Sequence, residues 1–276
     1  MFRILTFFVL FFTKNIFAEN SYYSSIKEKS GYKLKTELRL LIQSTHYMRS
    51  YSSLFDIYST SDIDLTYNGD HSIVDMYSEF PGGIDPYNYY GSIGKCGQPG
   101  VPLSRKESDC YNREHLFPQS AFDYRSPMKS DFFHVYPSDG KVNNRRGKLS
   151  FGEVGKSTWV SLNGSKVGIN KFEKLSNIVF EPIDEFKGDI ARALLYFATR
   201  YENRMTSFHH EWLNHTNDQV YKGWFIRLLL KWHKQDPVSA HENQRNNIGF
   251  SFQGNRNPFI DHPEWVEKIW HKSKLE

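Results

Sequence analysis

The spacing of apolar residues predicts helices near both ends of the chain. Over residues 30–46, Leu34, Leu38 and Leu41 recur at helical intervals, which indicates an amphipathic helix. Three later segments share this helical character: residues 187–202, with Ile190, Leu194, Phe197 and Tyr201 on one face; residues 220–234, which end before Asp236 and Pro237; and a segment that begins near Pro263. The two ends of the chain are therefore expected to be helical.

The central third has no such period. From Ile63 to Gly94, tyrosine, glycine, proline and aspartate alternate in short runs, which predicts loops and short strands. No tandem repeat, low-complexity tract or Pro/Ser-rich linker divides the chain. We therefore expect one domain over residues 19–276, with an irregular or β-rich centre between helices.

The first 18 residues have the pattern of a signal peptide. Arg3 precedes an apolar run from Ile4 to Phe12, interrupted only by Thr6, and Ala18 ends the segment. The run is too short to cross a bilayer, and no later stretch reaches the length of a membrane span. The sequence predicts a soluble, exported protein, either periplasmic or secreted.

The net charge is close to neutral. The chain has 35 basic and 31 acidic residues, and loss of the two basic residues in the signal peptide brings the balance still nearer to zero. Because phosphate attraction decays over roughly 8 Å at physiological salt, a polyanion-binding protein of this charge needs a local basic patch. The side chains of Lys141, Arg145, Arg146 and Lys148 are the candidate patch.

Two cysteines, Cys96 and Cys110, are present. An oxidising destination favours their pairing, and a loop of this size contributes about 3 kcal/mol by the chain-entropy relation. The bridge would hold the segment that leads into residues 111–115. A zinc site is the disfavoured alternative, because no second ligand pair lies nearby.

Residues 110–154 are the richest in reactive side chains. Glu114 offers a hard oxygen ligand for a divalent metal, and His115 titrates near neutrality and can take a proton from water. Neighbours on a strand point to opposite sides, so both reach one site only if the strand ends or bulges; Pro118 favours an ending. The amide oxygen of Asn143 can complete the protein ligands of the metal.

These residues alone leave other interpretations open. A histidine after a glutamate is more often a surface or core residue, and an Asn/Arg-rich stretch is more often a solvated turn or an anion-binding loop without catalysis. A zinc-protease helix at residues 210–215 is disfavoured, because His210 and His215 diverge by about 140° around a helix axis. We expect a solvated helix or helix end there.

Several ordered motifs resemble the endonuclease I family of secreted bacterial nucleases. They are residues 112–118 (NREHLFP), 131–137 (DFFHVYP), 142–147 (VNNRRG), 151–154 (FGEV), 188–193 (GDIARA) and 254–259 (GNRNPF). The similarity covers most of the chain after the signal peptide, in order.

The resemblance implies an α+β fold, in which a mixed, helix-rich domain surrounds a ββα-metal (His-Me finger) nuclease motif. It implies that His115 is the general base and that Glu114 and Asn143 hold one divalent ion, expected to be Mg²⁺ with Ca²⁺ or Mn²⁺ as alternatives. Arg146 matches the family's following arginine and is predicted to contact phosphate. The implied product has a 5′-phosphate end.

The sequence departs from the family at two places. Many relatives have histidine-asparagine where this chain has Phe133 and His134, and asparagine where it has Lys148. His134 could orient a ligand, contact phosphate or pack. Lys148 replaces a possible amide with a positive charge, which leaves open whether a third asparagine lies near the site. We expect a monomeric endonuclease of low sequence specificity acting on DNA; a ribonuclease and a catalytically idle nucleic-acid-binding protein are the alternatives.

Overall fold

The computed structural model describes residues 21–26, 28–91, 93–172 and 178–271. The predicted signal peptide, residues 1–18, lies outside these ranges. Within them, helices and two small sheets pack around a cluster of buried apolar side chains, which confirms the α+β class. No helix of the described part is long and apolar enough to cross a membrane.

The four helices predicted from apolar spacing are all present. They are α1 (Gly31–Thr45), α4 (Lys187–Arg200), α5 (Gly223–Gln235) and α8 (Glu264–Ile269). The described ranges also contain α2 (Ser53–Ser61), α3 (Gly140–Arg146), α6 (Ala240–Gln253) and α7 (Pro258–Asp261), which apolar spacing did not reveal. Helix α6 has a weak apolar stripe and is fixed by a capping box instead.

The strands form two separate sheets. Their bounds are β1 (Tyr111–His115), β2 (Val135–Asp139), β3 (Ser150–Phe151), β4 (Val154–Val160), β5 (Lys166–Asn170) and β6 (Ile178–Glu181). Strands β1 and β2 pair antiparallel, with His115 opposite Val135, and α3 follows β2 directly. The second sheet has the order β3-β6-β5-β4, with β3 parallel to β6.

The segment before β1 is irregular, as predicted. A single bridge joins Ile63 to Ile73, and the carboxylate of Asp64 accepts four backbone N–H groups from the turn that follows it. A disulfide joins Cys96 to Cys110, which confirms the predicted pairing. The chain therefore enters β1 through a covalently closed loop.

The helix expected around residues 210–215 is absent, so that prediction was wrong. His210 precedes a turn, in which the backbone N–H of Leu213 donates to the carbonyl of His210 at 3.1 Å, and Leu213 forms a bridge with Tyr221. The His210 Nε2 atom donates to the carbonyl of Lys148 at 3.0 Å, and its ring centroid is 3.9 Å from that of Trp212. These tertiary contacts hold a turn followed by a β-bridge, which local propensity did not indicate.

The motif at residues 188–193 joins three helices. The guanidinium of Arg192 in α4 donates Nε and Nη2 to the two carboxylate oxygens of Glu242 in α6, both at 2.6 Å. Glu242 also closes the capping box with Ser239. A Cβ at Gly188 would lie 2.0 Å from the carbonyl oxygen of Asp236, after α5, so only glycine fits there. This motif serves packing.

Candidate nuclease site

The candidate site is built on β1, β2 and α3. The carboxylate of Asp139 caps α3 by accepting from the backbone N–H groups of Lys141 and Val142 at 2.7 and 2.8 Å. The backbone N–H of Asp139 in turn donates to Asp75 at 2.6 Å. The orientation of α3 relative to the strands is thus set by two buried carboxylates.

Glu114 lies inside the protein, near the end of β1, with 2% of its surface exposed. Its Oε1 atom accepts from the Tyr77 hydroxyl at 2.9 Å and lies 3.2 Å from Nη1 of Arg146. Burial raises the pKa of this carboxyl, while Arg146 and Tyr77 oppose that rise. Both side-chain contacts use Oε1, so Oε2 is the oxygen that would take a cation.

Asn143 lies on α3, one turn before Arg146, and these two residues share a face of the helix. Its Nδ2 atom donates to the hydroxyl of Ser138 on β2 at 3.2 Å. With the amide nitrogen engaged in this bond, Oδ1 is the atom available as a ligand; the assignment of O and N follows from the hydrogen bond.

The donor set fits a hard divalent cation. One carboxylate oxygen of Glu114 and one amide oxygen of Asn143 are ligands of the kind that Mg²⁺ takes, with water and phosphate oxygens in the remaining positions. Among the described residues, no group of three His, Cys, Asp or Glu side chains is arranged to hold a metal. A site here would therefore depend on the asparagine.

His115 is the last residue of β1, so the strand ends where Glu114 and His115 could both reach one site. Its Nε2 atom donates to the backbone carbonyl of Lys129 at 2.9 Å, so the lone pair of the neutral ring is on Nδ1. Burial lowers the pKa of His115 to about 3, with the neighbouring His134 as the next cause. At neutral pH the ring is uncharged and can accept a proton.

His134 is wholly buried beside His115, with ring centroids 5.7 Å apart in an edge-to-face arrangement. Its Nε2 atom donates to the carbonyl of Met128 at 2.6 Å, and burial lowers its pKa to about 4. Of the three possibilities left open by the sequence, the structure favours packing, because the His134 ring lies against the rings of Phe122 and Phe197 and its Nε2–H is taken by a backbone carbonyl.

Arg146 does not project from the surface. It is 1% exposed, and its Nη1 and Nη2 atoms donate to the carbonyls of His115 and Leu116 at 2.8 and 2.5 Å. The guanidinium also lies 4.6 Å from the ring centroid of Phe151 and beside Glu114. The predicted phosphate contact stays a prediction, and the observed contacts tie α3 to the end of β1.

The other basic residues of the predicted patch have different surroundings from those of Arg146. The guanidinium carbon of Arg145 lies 5.7 Å from the ring centroid of Trp159, on β4. Lys148 is exposed, and its carbonyl accepts the hydrogen bond from His210. Arg146 is buried whereas Arg145 and Lys148 are exposed, so the four basic residues do not all face solvent as one patch.

Sequence reasoning did not find two of the residues that contact the site. Tyr77 is 37 positions before Glu114, in the irregular segment, and no local pattern marks it. Lys129 contributes a backbone carbonyl, which any residue possesses. By contrast, Arg113 is part of the motif at residues 112–118, and its position two residues before His115 on a strand indicates a shared face.

Known nucleases resemble this chain over much of its length. The family model described as Endonuclease I matches residues 30–264. An extracellular ribonuclease of Bacillus amyloliquefaciens is 34% identical over 255 residues, covering 91% of this chain and 78% of the relative. One of Bacillus subtilis (strain 168) is 32% identical with the same coverage. An extracellular deoxyribonuclease of Aeromonas hydrophila is 27% identical, covering 62% of this chain and 60% of the relative. The chain belongs to the endonuclease I family and is a nuclease.

Proposed function

We propose that this protein is an exported endonuclease in which His115 activates water to hydrolyse a phosphodiester bond. The observation that carries the proposal is the hydrogen bond from His115 Nε2 to the Lys129 carbonyl, which leaves a neutral Nδ1 as proton acceptor at the end of the strand that bears Glu114. In this proposal, β1, β2 and α3 are the ββα-metal motif, within a single domain over residues 19–276.

Glu114 and Asn143 would hold one divalent cation, with Mg²⁺ as the expected ion and Ca²⁺ or Mn²⁺ as alternatives. When bound, such an ion offsets the charge that develops on the phosphoryl oxygens and on the leaving oxygen. Arg146, 3.2 Å from Glu114, favours the ionised carboxylate that a cation requires. Arg146 is therefore proposed to act through Glu114.

His115 supplies the base. Its Nδ1 accepts a proton from water as the water oxygen attacks phosphorus, and the bond to the 3′ oxygen breaks, which leaves a 5′-phosphate end. The low pKa keeps the ring neutral before the reaction, and the Lys129 carbonyl stabilises the protonated ring through Nε2–H. Tautomer and orientation are thus fixed by one backbone contact.

This chemistry does not require a 2′-hydroxyl, so DNA and RNA are both proposed substrates. The sequence favoured DNA of low specificity. The two Bacillus relatives cover 91% of the chain and are named ribonucleases, which gives RNA greater weight than the motifs alone did. Their names, the disulfide and the predicted signal peptide support a secreted or periplasmic location, and a monomer remains the expected state.

A cleavage assay on matched substrates tests the proposal. Plasmid DNA, single-stranded DNA and RNA are incubated with added Mg²⁺, Mn²⁺ or Ca²⁺, or with chelator. Cleavage by the parent protein is expected only with metal. The His115→Ala variant is expected to lose about 10²- to 10⁴-fold in rate. His209→Ala, which replaces an exposed histidine whose ring makes no hydrogen bond, is the matched control.

The outcomes separate the alternatives. A folded His115→Ala protein that cleaves at the parent rate would exclude His115 as the base. Binding without nicking under any metal would indicate an idle nucleic-acid-binding protein. Products that accept a 5′ label only after phosphatase treatment would carry the predicted 5′-phosphate.

A further inference from the structure

Two cations lie against one aromatic ring beside His115. The guanidinium carbon of Arg113 is 3.6 Å from the ring centroid of Tyr51, and Nζ of Lys129 is 5.0 Å from it. The Tyr51 ring centroid is 5.7 Å from that of His115. Arg113, Lys129 and Tyr51 are here called the Tyr51 platform.

The chain fixes the platform at several points. Arg113 and His115 are two apart on β1, so both side chains are on the same face of the strand. The Nη1 atom of Arg113 donates to the backbone carbonyl of Tyr51 at 2.8 Å. The carbonyl of Lys129 accepts from His115, so one residue both orients the base through its backbone and adds charge through its side chain.

The platform has positive charge without an acidic partner. Neither Arg113 nor Lys129 forms an ion pair with any Asp or Glu side chain in the described ranges. The buried Arg192, by contrast, is paired with Glu242. Both cations lie against the Tyr51 ring, and the Arg113 guanidinium carbon is also 4.0 Å from the ring centroid of Phe55. Like charges around one ring repel each other, and an anion bound to both lowers that repulsion. The Nη2 atom of Arg113 and Nζ of Lys129 have no hydrogen-bond acceptor among the described residues.

We propose that Arg113 and Lys129, aligned on the Tyr51 ring, bind the backbone phosphate next to the scissile one, on the His115 side of the reaction centre. This inference rests on the proposed function. Arginine and lysine are the side chains that proteins use against phosphate oxygens. Tyr51 is a positioning residue that limits the rotamers of both cations.

The platform is expected to contribute to binding rather than to chemistry. Loss of one phosphate contact removes a charge-assisted hydrogen bond, which corresponds to about a tenfold rise in KM with kcat little changed. Binding with one phosphate contact fewer also releases one counterion fewer from the nucleic acid. The slope of log K against log salt should therefore become shallower by about 0.9 for duplex DNA or about 0.7 for a single strand.

The experiment measures equilibrium binding of a fluorescent oligonucleotide over a range of salt concentrations. The full chain with its native His115 is used with chelator, because the proposed cleavage requires a metal and the His115 ring holds the Lys129 carbonyl. Lys129→Met keeps the backbone carbonyl and removes the charge; Lys129→Arg keeps the charge. Lys156→Met on β4 removes an exposed lysine that forms no ion pair with the described part of the chain, and so serves as the control for net charge.

A shallower slope for Lys129→Met, with parental slopes for Lys129→Arg and Lys156→Met, supports the proposal. Equal slopes for Lys129→Met and Lys156→Met overturn it. If Lys129→Met does not fold, Lys129→Gln takes its place under the same criterion. Cleavage by the parent with unchanged slopes refutes the platform alone, whereas a slope change without any parental cleavage refutes the proposed function alone.

Discussion

Replacement of Arg146 by methionine separates two roles for this arginine. The motif predicts that Arg146 contacts a substrate phosphate, whereas the structure buries it against Glu114 and two backbone carbonyls. Methionine preserves much of the volume and the packing on Phe151 while removing the charge and the donors. We therefore expect Arg146→Met to lower stability first and activity as a consequence.

The magnitude follows from burial. Arg146 is 1% exposed and Glu114 2%, so the variant leaves a buried carboxylate without its cation. Removing one partner of such a pair costs about 3–5 kcal/mol, and the carbonyls of His115 and Leu116 lose donors as well. The free energy of unfolding should fall by at least about 3 kcal/mol, a large fraction of the 5–15 kcal/mol typical of a domain.

Urea denaturation at pH 7 and at pH 4 measures this effect. Burial already raises the pKa of Glu114, and loss of Arg146 raises it further. A carboxyl with a raised folded pKa favours the folded state at acid pH and loses that contribution as the pH rises past its unfolded pKa. The stability deficit of Arg146→Met should therefore be smaller at pH 4 than at pH 7.

The opposite pattern would refute this reasoning. If Arg146→Met unfolds at the parent urea concentration at both pH values, yet has a strongly reduced kcat, the guanidinium contacts substrate as the motif predicted. Arg145→Met is the matched control, because Arg145 is exposed and its loss should leave the unfolding free energy within about 0.5 kcal/mol of the parent.

Three further changes test other parts of the fold. Replacing both Cys96 and Cys110 with serine should cost about 3 kcal/mol, as measured by urea denaturation, because the bridge spans 14 positions. Gly188→Ala should lower the thermal midpoint by an amount that corresponds to about 1–3 kcal/mol, since its Cβ would meet the Asp236 carbonyl at 2.0 Å. His134→Asn should reduce the loss of stability on acidification. Burial lowers the pKa of His134 to about 4, so the folded protein loses stability as the pH falls below the ordinary histidine pKa of about 6.5. This loss reaches about 3 kcal/mol in the acid limit.

Each of these has a result that would contradict it. A serine double variant with parental stability in urea would show that the loop is held without the bridge. A Gly188→Ala protein as stable as the parent would mean that α4 and the end of α5 can move apart freely. An unchanged pH profile for His134→Asn would assign the acid sensitivity to other buried groups.

The sequence predicted the elements whose information is local. Helices α1, α4, α5 and α8 follow from apolar spacing, because one face of each is buried. The disulfide followed from the export prediction and the presence of two cysteines. Helix α6 was not predicted, because its buried residues are mostly polar and its apolar stripe is therefore weak.

The sequence likewise identified only some of the residues of the candidate site. Glu114, His115 and Asn143 could be named because their side chains are chemically distinctive and the family motifs surround them. The Tyr77 hydroxyl and the fate of Arg146 could not be named, since they depend on which distant segments fold against β1. Burial, rather than residue type, decides whether an arginine faces solvent, and burial is a property of tertiary structure.

The two histidine contacts with consecutive carbonyls have a consequence for how this site can vary. His134 and His115 donate to the carbonyls of Met128 and Lys129, groups that every residue has. The tautomer of both rings therefore depends on the backbone of the 3₁₀ turn at Met128–Ser130 and not on the chemistry of its side chains. The partly exposed side chain at position 129 can therefore change, and with it the charge offered to substrate, while His115 keeps the same tautomer; Met128 is buried in the core, so its side chain is constrained by packing.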